Sequence, residues 1–236
     1  MKLLVSDYDG TIFDQDCIKD TRKNIDAIKR FKDKGNMFAI ATARIFPSIK
    51  SQIEKFNIPY DYLICCNGGC VFDKNDNLLY SNPIDQTQLK LILKYLKTLP
   101  YIKHIKLLDS YGQETTNTKD THQIYVQVYF KKTLEMLKIK KELYPLESYG
   151  ILHISYFYKH TEKPDGIRLI AELEQLKKES IYTIGNGNND ISMLKEYNGS
   201  RVPYSYPKLI LSKLPKNTVS EFIKKIESDK IWKQSE

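Results

Sequence analysis

Two aspartates near the start of the chain have the spacing of a catalytic carboxylate pair. Asp7 and Asp9 follow apolar residues 3–5, which read as a buried strand, and Gly10 ends that strand. While the backbone stays extended, side chains two residues apart project from the same side. Carboxylates this close resist joint ionisation unless a cation lies between them or one keeps a proton. A Mg²⁺ site for phosphoryl transfer uses both outcomes, although an Asx-type turn would use the same residues.

Alternating strand and helix patterns predict the elements that position this pair. The next predicted strands cover 37–41 and 62–66, and the helices between them cover 20–34 and 46–56. This order predicts a parallel sheet with helices on its faces, whose active sites lie at the carboxyl ends of strands. Asp7, Thr42 and Asn67 all occupy such positions, so we expect their side chains to lie close together.

The middle of the chain has a different pattern. A predicted hairpin at 70–80 precedes it. The predicted helices then cover 86–96 and 134–143, and the predicted strands cover 102–108, 124–130 and 151–158. These strands have one polar face, which suits a small antiparallel sheet with one open side. We therefore expect residues 83–159 to form a small inserted α+β cap.

The first pattern resumes after Asp165 and completes the predicted core. Its helices cover 167–176, 191–197 and 218–226, and a strand at 180–184 leads into the glycine-containing segment 185–190. The expected fold class is α/β, with a Rossmann-like, doubly wound parallel-sheet core formed by residues 1–82 and 160–236.

Composition and charge exclude several classes of partner. The net charge is +8, with a pI near 9.0, but the lysines and arginines are scattered and no nucleic-acid-binding motif accompanies them. No apolar stretch approaches the roughly 20 residues of a membrane span, and Asp7 and Asp9 interrupt any secretory signal. The four cysteines and four histidines lack metal-binding spacing, which favours reduced thiols. We expect a cytoplasmic protein without nucleic-acid or membrane partners, either a monomer or a small homo-oligomer.

Four segments, taken in chain order, resemble the motifs of one protein family. They are D-Y-D-G-T at 7–11, Thr42 after its strand, a lysine near 163, and G-N-G-N-N-D at 185–190. The set resembles the haloacid dehalogenase (HAD) superfamily, in particular the Cof-type phosphatases, whose C2-type cap is inserted between the second and third motifs. The Asn67-Gly68-Gly69 turn also matches the turn that these proteins place before the cap. The resemblance covers nearly the whole chain.

The resemblance implies a role for each motif residue. Asp7 would be the nucleophile that forms an aspartyl-phosphate and also touches Mg²⁺. Asp9 would protonate the leaving alcohol and then activate water, and its backbone carbonyl would be a further metal ligand. Thr42 would offer its hydroxyl and its backbone N–H to a phosphate oxygen, while Arg44 would either reach substrate or fix its loop. The implied sets are Gly10, Thr42, Ala43, Arg44, Lys163 and Asn189 for the phosphate, and Asp7, Asp9, Asn186 and Asp190 for the metal.

The sequence departs from the family pattern in two places. The family's lysine directly precedes a glycine, but Asp165 occupies that position here, so Lys163 is our choice and Lys159 the alternative. The family's last motif opens Gly-Asp, whereas this chain has Asn186, whose amide can ligate a hard cation but brings no charge. Three outcomes are open: a working enzyme with weaker Mg²⁺ binding, which we favour, direct ligation by Asp190, or a slow, partly degenerate phosphatase.

The expected function is that of a Mg²⁺-dependent phosphomonoester hydrolase acting on a small phosphorylated metabolite, with a sugar phosphate as the default by family analogy. The alternatives are a phosphotransferase or phosphomutase on the same fold, or a catalytically weakened binding protein. Specificity is expected from the cap, unless the polar strand face there packs against a helix. The residues expected on or near that face are Tyr125, Gln127, Tyr129, Lys103, His104 and Lys106.

Overall fold

Two β-sheets organise the chain in a computed structural model that describes residues 1–13, 18–130, 147–149, 153–156, 161–203 and 214–228. The strands are β1 (Leu3–Ser6), β2 (Met37–Ala41), β3 (Tyr62–Cys65), β4 (Cys70–Asp73), β5 (Leu78–Ser81), β6 (Ile102–Leu108), β7 (Gln123–Val128), β8 (Glu147–Tyr149), β9 (His153–Tyr156), β10 (Ile181–Gly185) and β11 (Asn198–Arg201). The helices are α1 (Ile18–Asp33), α2 (Phe46–Phe56), α3 (Gln86–Leu96), α4 (Lys163–Leu173), α5 (Ile191–Glu196) and α6 (Val219–Glu227).

The larger sheet has seven strands in the order β11-β10-β1-β2-β3-β4-β5. The pairs from β11 to β3 are parallel, and β4 and β5 continue the sheet as an antiparallel hairpin. Alternate residues of β1 point to opposite faces, as the pleat requires. Leu4 packs with α1, α2 and α6, whereas Leu3 and Val5 pack with α4 and α5. The predicted α/β class, with a parallel-dominated central sheet, is confirmed.

The smaller sheet has the order β6-β7-β9-β8, and all its pairs are antiparallel. Ile124, Val126 and Val128 of β7 pack against α3 in a separate core. The sequence pattern did not predict β8. Strand β7 ends at Val128, so Tyr129 directly follows the strand, and its backbone N–H donates to the carbonyl of Tyr101 over 3.2 Å. The predicted helix at 134–143 lies outside the described residues.

Helix α4 begins four residues earlier than its apolar spacing predicts. The backbone N–H of Glu162 donates to Oδ2 of Asp165 over 2.8 Å, and the N–H of Asp165 donates to the carbonyl of Glu162. Pro164 suits the first turn, where its missing N–H leaves no hydrogen bond unmade. Because the first turn contains no apolar periodicity, the sequence pattern missed it. Lys163 is therefore the first residue of the helix.

No helix among the described residues is both long enough and apolar enough to span a membrane.

Three of the four cysteines are buried free thiols in the core beside the larger sheet. They are Cys65, Cys66 and Cys70. Burial raises the pKa of Cys65 and of Cys70 well above the usual thiol value. We expect these three thiols to react with Ellman's reagent in urea but not in the native protein, since the thiolate is the reactive species. Rapid native labelling of more than one thiol per chain would contradict this packing.

Candidate active site

The candidate site lies where parallel strands of the larger sheet end. Asp7 follows β1, Thr42 follows β2, Asn67 follows β3, and the loop that contains Asp190 follows β10. Since these strands are parallel neighbours, their carboxyl ends meet at one edge of the sheet. Lys163 reaches the same edge from the first turn of α4.

Lys163 is the centre of the cluster. Its side chain is fully buried, and Nζ lies 2.7 Å from Oδ1 of Asp7 and 2.6 Å from Oδ1 of Asp190. Burial lowers the pKa of Lys163, but the two carboxylates more than compensate, so the net pKa is raised. The ammonium therefore stays charged and links two loops that are far apart in sequence. The alternative lysine, Lys159, lies outside the described residues.

Asp7 is nearly as buried as its lysine partner, with 5% of its surface exposed. Its Oδ2 accepts a hydrogen bond from the hydroxyl of Thr11 over 3.0 Å. Burial, followed by the charge of Asp190, raises the pKa of Asp7 to about 7, although Lys163 lowers it. Asp9 contributes least among these influences. The carboxylate that opposes ionisation of Asp7 most strongly is thus Asp190, not Asp9 as the pair spacing suggested.

Asp9 is held in a different environment from Asp7. Nε and Nη2 of Arg44 donate to its two carboxylate oxygens, both over 2.8 Å, in a bidentate pair. Nη1 of Arg44 donates to Oγ of Ser48, and the guanidinium lies 5.4 Å from the ring centroid of Tyr8. The side chain of Asp9 is 51% exposed, so a bound molecule or water can reach its carboxylate. Arg44 thereby orients the group to which the family resemblance gives the acid–base role.

Thr42 presents its hydroxyl to the site but not its backbone N–H. That N–H donates to the carbonyl of Ile64 over 2.8 Å and so belongs to the sheet. The expectation that it binds phosphate is therefore wrong, because continued pairing of β2 with β3 uses it. The hydroxyl oxygen accepts from the backbone N–H of Arg44 over 3.1 Å and keeps its own proton to donate. Ala43 lies between them, partly exposed.

The loop after β10 is closed by Asp190. Its Oδ2 accepts from the backbone N–H groups of Asn186 and Gly187, over 2.9 and 2.8 Å, and Oδ1 accepts from Lys163. Both oxygens of this fully buried carboxylate are therefore engaged. Nδ2 of Asn189 donates to Oδ1 of Asn67 over 2.8 Å. This last contact was not predicted from the sequence, where the only signal was the position of Asn67 at a strand end.

The side chain of Asn186 lies against Gly10. A Cβ built on Gly10 would lie 2.1 Å from Nδ2 of Asn186, and Gly10 has a φ of +72°, so both the contact and the backbone favour glycine there. The amide group thus lies beside the turn that follows Asp7 and Asp9. The family motifs imply a metal position between these two loops.

The oxygen ligands around this position suit a hard cation, but only one of them carries a negative charge. Asp7 supplies a carboxylate, Asn186 a neutral amide and Asp9 a backbone carbonyl, all of them oxygen ligands of the kind that Mg²⁺ takes. Within the part of the chain that the structure describes, no three Asp, Glu, His or Cys side chains form a metal-binding group. Direct ligation by Asp190 would have to compete with its three hydrogen bonds. The residues therefore fit Mg²⁺ with one charged ligand fewer than the family pattern.

Comparison with known proteins extends the resemblance over most of the chain. A family model described as haloacid dehalogenase-like hydrolase matches residues 4–157 and 111–202. A protein of Buchnera aphidicola subsp. Baizongia pistaciae, provisionally named a phosphatase, is 30% identical over 226 residues, which cover 81% of this chain and 82% of that protein. A Haemophilus influenzae protein with the same provisional name is 24% identical over 226 residues, covering 82% and 81%.

Solved structures share the fold. The HAD-superfamily phosphatase BT1666 of Bacteroides thetaiotaomicron is similar with a TM-score of 0.74 and 22% identity, over 98% of this chain and 96% of that one. The HAD subclass IIB sugar phosphatase BT4131 gives a TM-score of 0.72 and 18% identity, over 98% and 100%. The family match, the Buchnera relative and the common fold confirm the resemblance read from the motifs. This chain belongs to the haloacid dehalogenase-like hydrolase family.

Proposed function

We propose that this chain is a Mg²⁺-dependent phosphomonoester hydrolase that acts through an aspartyl-phosphate on a small phosphorylated metabolite. That it is a phosphatase follows from its family and from the phosphatases among its relatives and fold neighbours. The observation that carries the proposal is the buried Lys163 ammonium between the carboxylates of Asp7 and Asp190. A cation so placed compensates charge both on the nucleophile and on a transferring phosphoryl group.

In the first half-reaction Asp7 attacks phosphorus through a carboxylate oxygen, and the bond from phosphorus to the ester oxygen breaks. Asp9 gives its proton to the departing alkoxide, which leaves as the alcohol. Lys163 and the hydroxyl of Thr42 donate hydrogen bonds to the phosphoryl oxygens. Bound Mg²⁺ would supply the additional positive charge that keeps Asp7 ionised and balances the phosphate.

In the second half-reaction the carboxylate of Asp9 takes a proton from water as the water attacks phosphorus. The bond between the Asp7 oxygen and phosphorus breaks, which releases inorganic phosphate and regenerates both aspartates. Asp9 is half-exposed, so alcohol and water can reach it, and Arg44 fixes its orientation by donating to both oxygens. For Asp9 to carry the proton, Arg44 has to release one of these two oxygens. Asp7, by contrast, is buried and held by Lys163 and Thr11, as a nucleophile requires.

A sugar phosphate is the proposed substrate class, with specificity supplied by residues 83–159 as an inserted cap. The open face of the smaller sheet is polar and aromatic: Tyr125 stacks on His153 at 5.0 Å, and Gln127 is the strand partner of His153. Lys106 lies opposite Tyr125 on the neighbouring strand, and its charge is compensated by Glu114. Neutral hydrogen-bonding groups beside an aromatic ring suit a polyhydroxylated leaving group better than a second phosphate.

The proposal is tested by measuring phosphate release from a generic aryl phosphate and from a panel of phosphorylated metabolites. We expect turnover with Mg²⁺, loss of turnover when EDTA removes the metal, and recovery when Mg²⁺ is restored. Phosphate release without any added acceptor distinguishes a hydrolase from a phosphotransferase. Absence of release from every ester at saturating Mg²⁺ would contradict the proposal and favour a binding protein.

Asn186→Asp is expected to tighten the apparent Mg²⁺ requirement by about tenfold, because it adds the missing carboxylate beside the Asp7 loop. The measurement is the Mg²⁺ concentration that gives half-maximal phosphate release. Asn188→Asp is the matched control, because Asn188 is exposed in the same loop and its substitution adds the same negative charge. An unchanged Mg²⁺ requirement in Asn186→Asp, or an equal change in both variants, would remove Asn186 from the metal site.

A further inference from the structure

Asn67 joins two loops of the site through one buried residue. Its backbone N–H donates to the carbonyl of Thr42 over 3.0 Å, and its side-chain Oδ1 accepts from Nδ2 of Asn189 over 2.8 Å. Only 2% of its surface is exposed, so these hydrogen bonds are shielded from competing water. The loops after β2 and β10 are therefore joined by one residue that follows β3, through its backbone N–H on one side and its side chain on the other.

The turn that contains Asn67 also contacts the start of α4. The next residue, Gly68, has a φ of +103°, and a Cβ placed on it would lie 2.1 Å from the carbonyl oxygen of Glu162. Glu162 directly precedes Lys163. The turn thus packs against the backbone that directly precedes the buried lysine.

Asn67 adopts a left-handed conformation, with φ 54° and ψ 35°. Asparagine tolerates this conformation better than other residues that carry a Cβ. The same residue therefore meets two separate requirements: a backbone that can turn here and a carboxamide that can reach Asn189. Glycine would meet only the first requirement.

We propose that Asn67 is a positioning residue that sets the spacing of Thr42, Lys163 and Asn189 around the phosphoryl group. This inference rests on the proposed function and adds to it a residue that acts through others. Donors that stabilise a transferring phosphoryl group must be held within a fraction of an ångström, and a displacement near 1 Å can cost about 10²-fold in rate. The inference therefore concerns kcat more than substrate affinity.

Asn67→Gly separates the two requirements, because glycine keeps the left-handed backbone and loses the carboxamide. We expect kcat for an aryl phosphate to fall about 10- to 100-fold while KM changes less than about threefold. Asn57→Gly is the matched control. Asn57 also has a left-handed φ, of 50°, but it caps the C-terminal end of α2. Asn57→Gly should therefore leave kcat unchanged.

A double-mutant cycle with Asn189→Ala tests the contact itself. Since the two side chains bond each other, the double variant should be no slower than the slower single variant. The inference is overturned if Asn67→Gly keeps kcat within twofold of wild type, or if the two effects multiply. If Asn67→Gly folds poorly, Asn189→Ala still tests the inference, because it removes the same hydrogen bond: a kcat within twofold of wild type in Asn189→Ala would overturn it.

The positioning role of Asn67 can be tested even if the chain is not a phosphatase. If the wild-type chain releases no phosphate, the side-chain amide signals of Asn189 are followed by ¹⁵N NMR, together with their response to inorganic phosphate. We expect Asn67→Gly to shift these signals and weaken the phosphate response, and Asn57→Gly to do neither. Unchanged signals in Asn67→Gly would overturn the positioning role, whereas missing turnover alone would overturn only the phosphatase proposal.

Discussion

Asp7→Asn is expected to lower kcat for phosphate release by at least about 10³-fold, since an amide cannot form the aspartyl-phosphate. KM should change far less, because Lys163 and the hydroxyl of Thr42 remain to bind the phosphate. The measurement is steady-state phosphate release at saturating Mg²⁺, with purified protein from parallel preparations.

The fold should tolerate this change. Asparagine has nearly the volume of aspartate, and Lys163 keeps its 2.6 Å contact with Asp190. Asp26→Asn is the matched control, because Asp26 is exposed on α1. It should leave activity unchanged. A folded Asp7→Asn variant that retains more than a tenth of wild-type kcat would contradict the assignment of Asp7 as the nucleophile.

Lys163→Met is expected to lower the free energy of unfolding by about 3–5 kcal/mol, because it leaves two buried carboxylates without their shared cation. Phosphate release should fall as well, since the ammonium that faces the phosphoryl group is lost. The stability change is measured by urea denaturation, and activity is measured under conditions where the variant stays folded.

A second substitution tests whether the lost stability comes from unpaired buried charge. Asp190→Asn on the Lys163→Met background removes one unpaired buried charge, so part of the stability should return while activity does not. Lys195→Met is the surface control, since Lys195 is exposed on α5. Recovery of activity together with stability in the double variant would show that Lys163 serves only the fold.

Sequence periodicity predicted the core elements closely wherever it was strong. The bounds of β2, α2, α3 and β6 agree with the patterns, because each has regular apolar spacing or a continuous apolar run. The start of α4 was missed, since its first turn is fixed by hydrogen bonds between Glu162 and Asp165 and not by apolar spacing. Strand β11 was missed for a similar reason: it is short, mostly polar and paired on one side in the sheet.

The sequence predicted which residues form the candidate site, but only some of the contacts among them. Motif spacing placed Asp7, Thr42 and Asp190 at strand ends, and the parallel sheet brings them together. Hydrogen bonds between residues far apart in the chain could not be predicted from the spacing of the motif residues. Arg44 and Asp9 are 35 residues apart, and Asn189 and Asn67 are 122 apart. The use of the Thr42 N–H within the sheet likewise depends on where β3 ends, which a motif does not encode.

The aspartyl-phosphate on Asp7 can be observed directly by chemical trapping. The enzyme is mixed with Mg²⁺ and an aryl phosphate, quenched during turnover, reduced with borohydride and digested for mass spectrometry. An acyl phosphate is reduced to an alcohol, so we expect homoserine at position 7 in the wild-type chain and no such product without substrate. Homoserine at another aspartate, or unmodified Asp7 in an enzyme that is turning over, would contradict nucleophilic attack by Asp7.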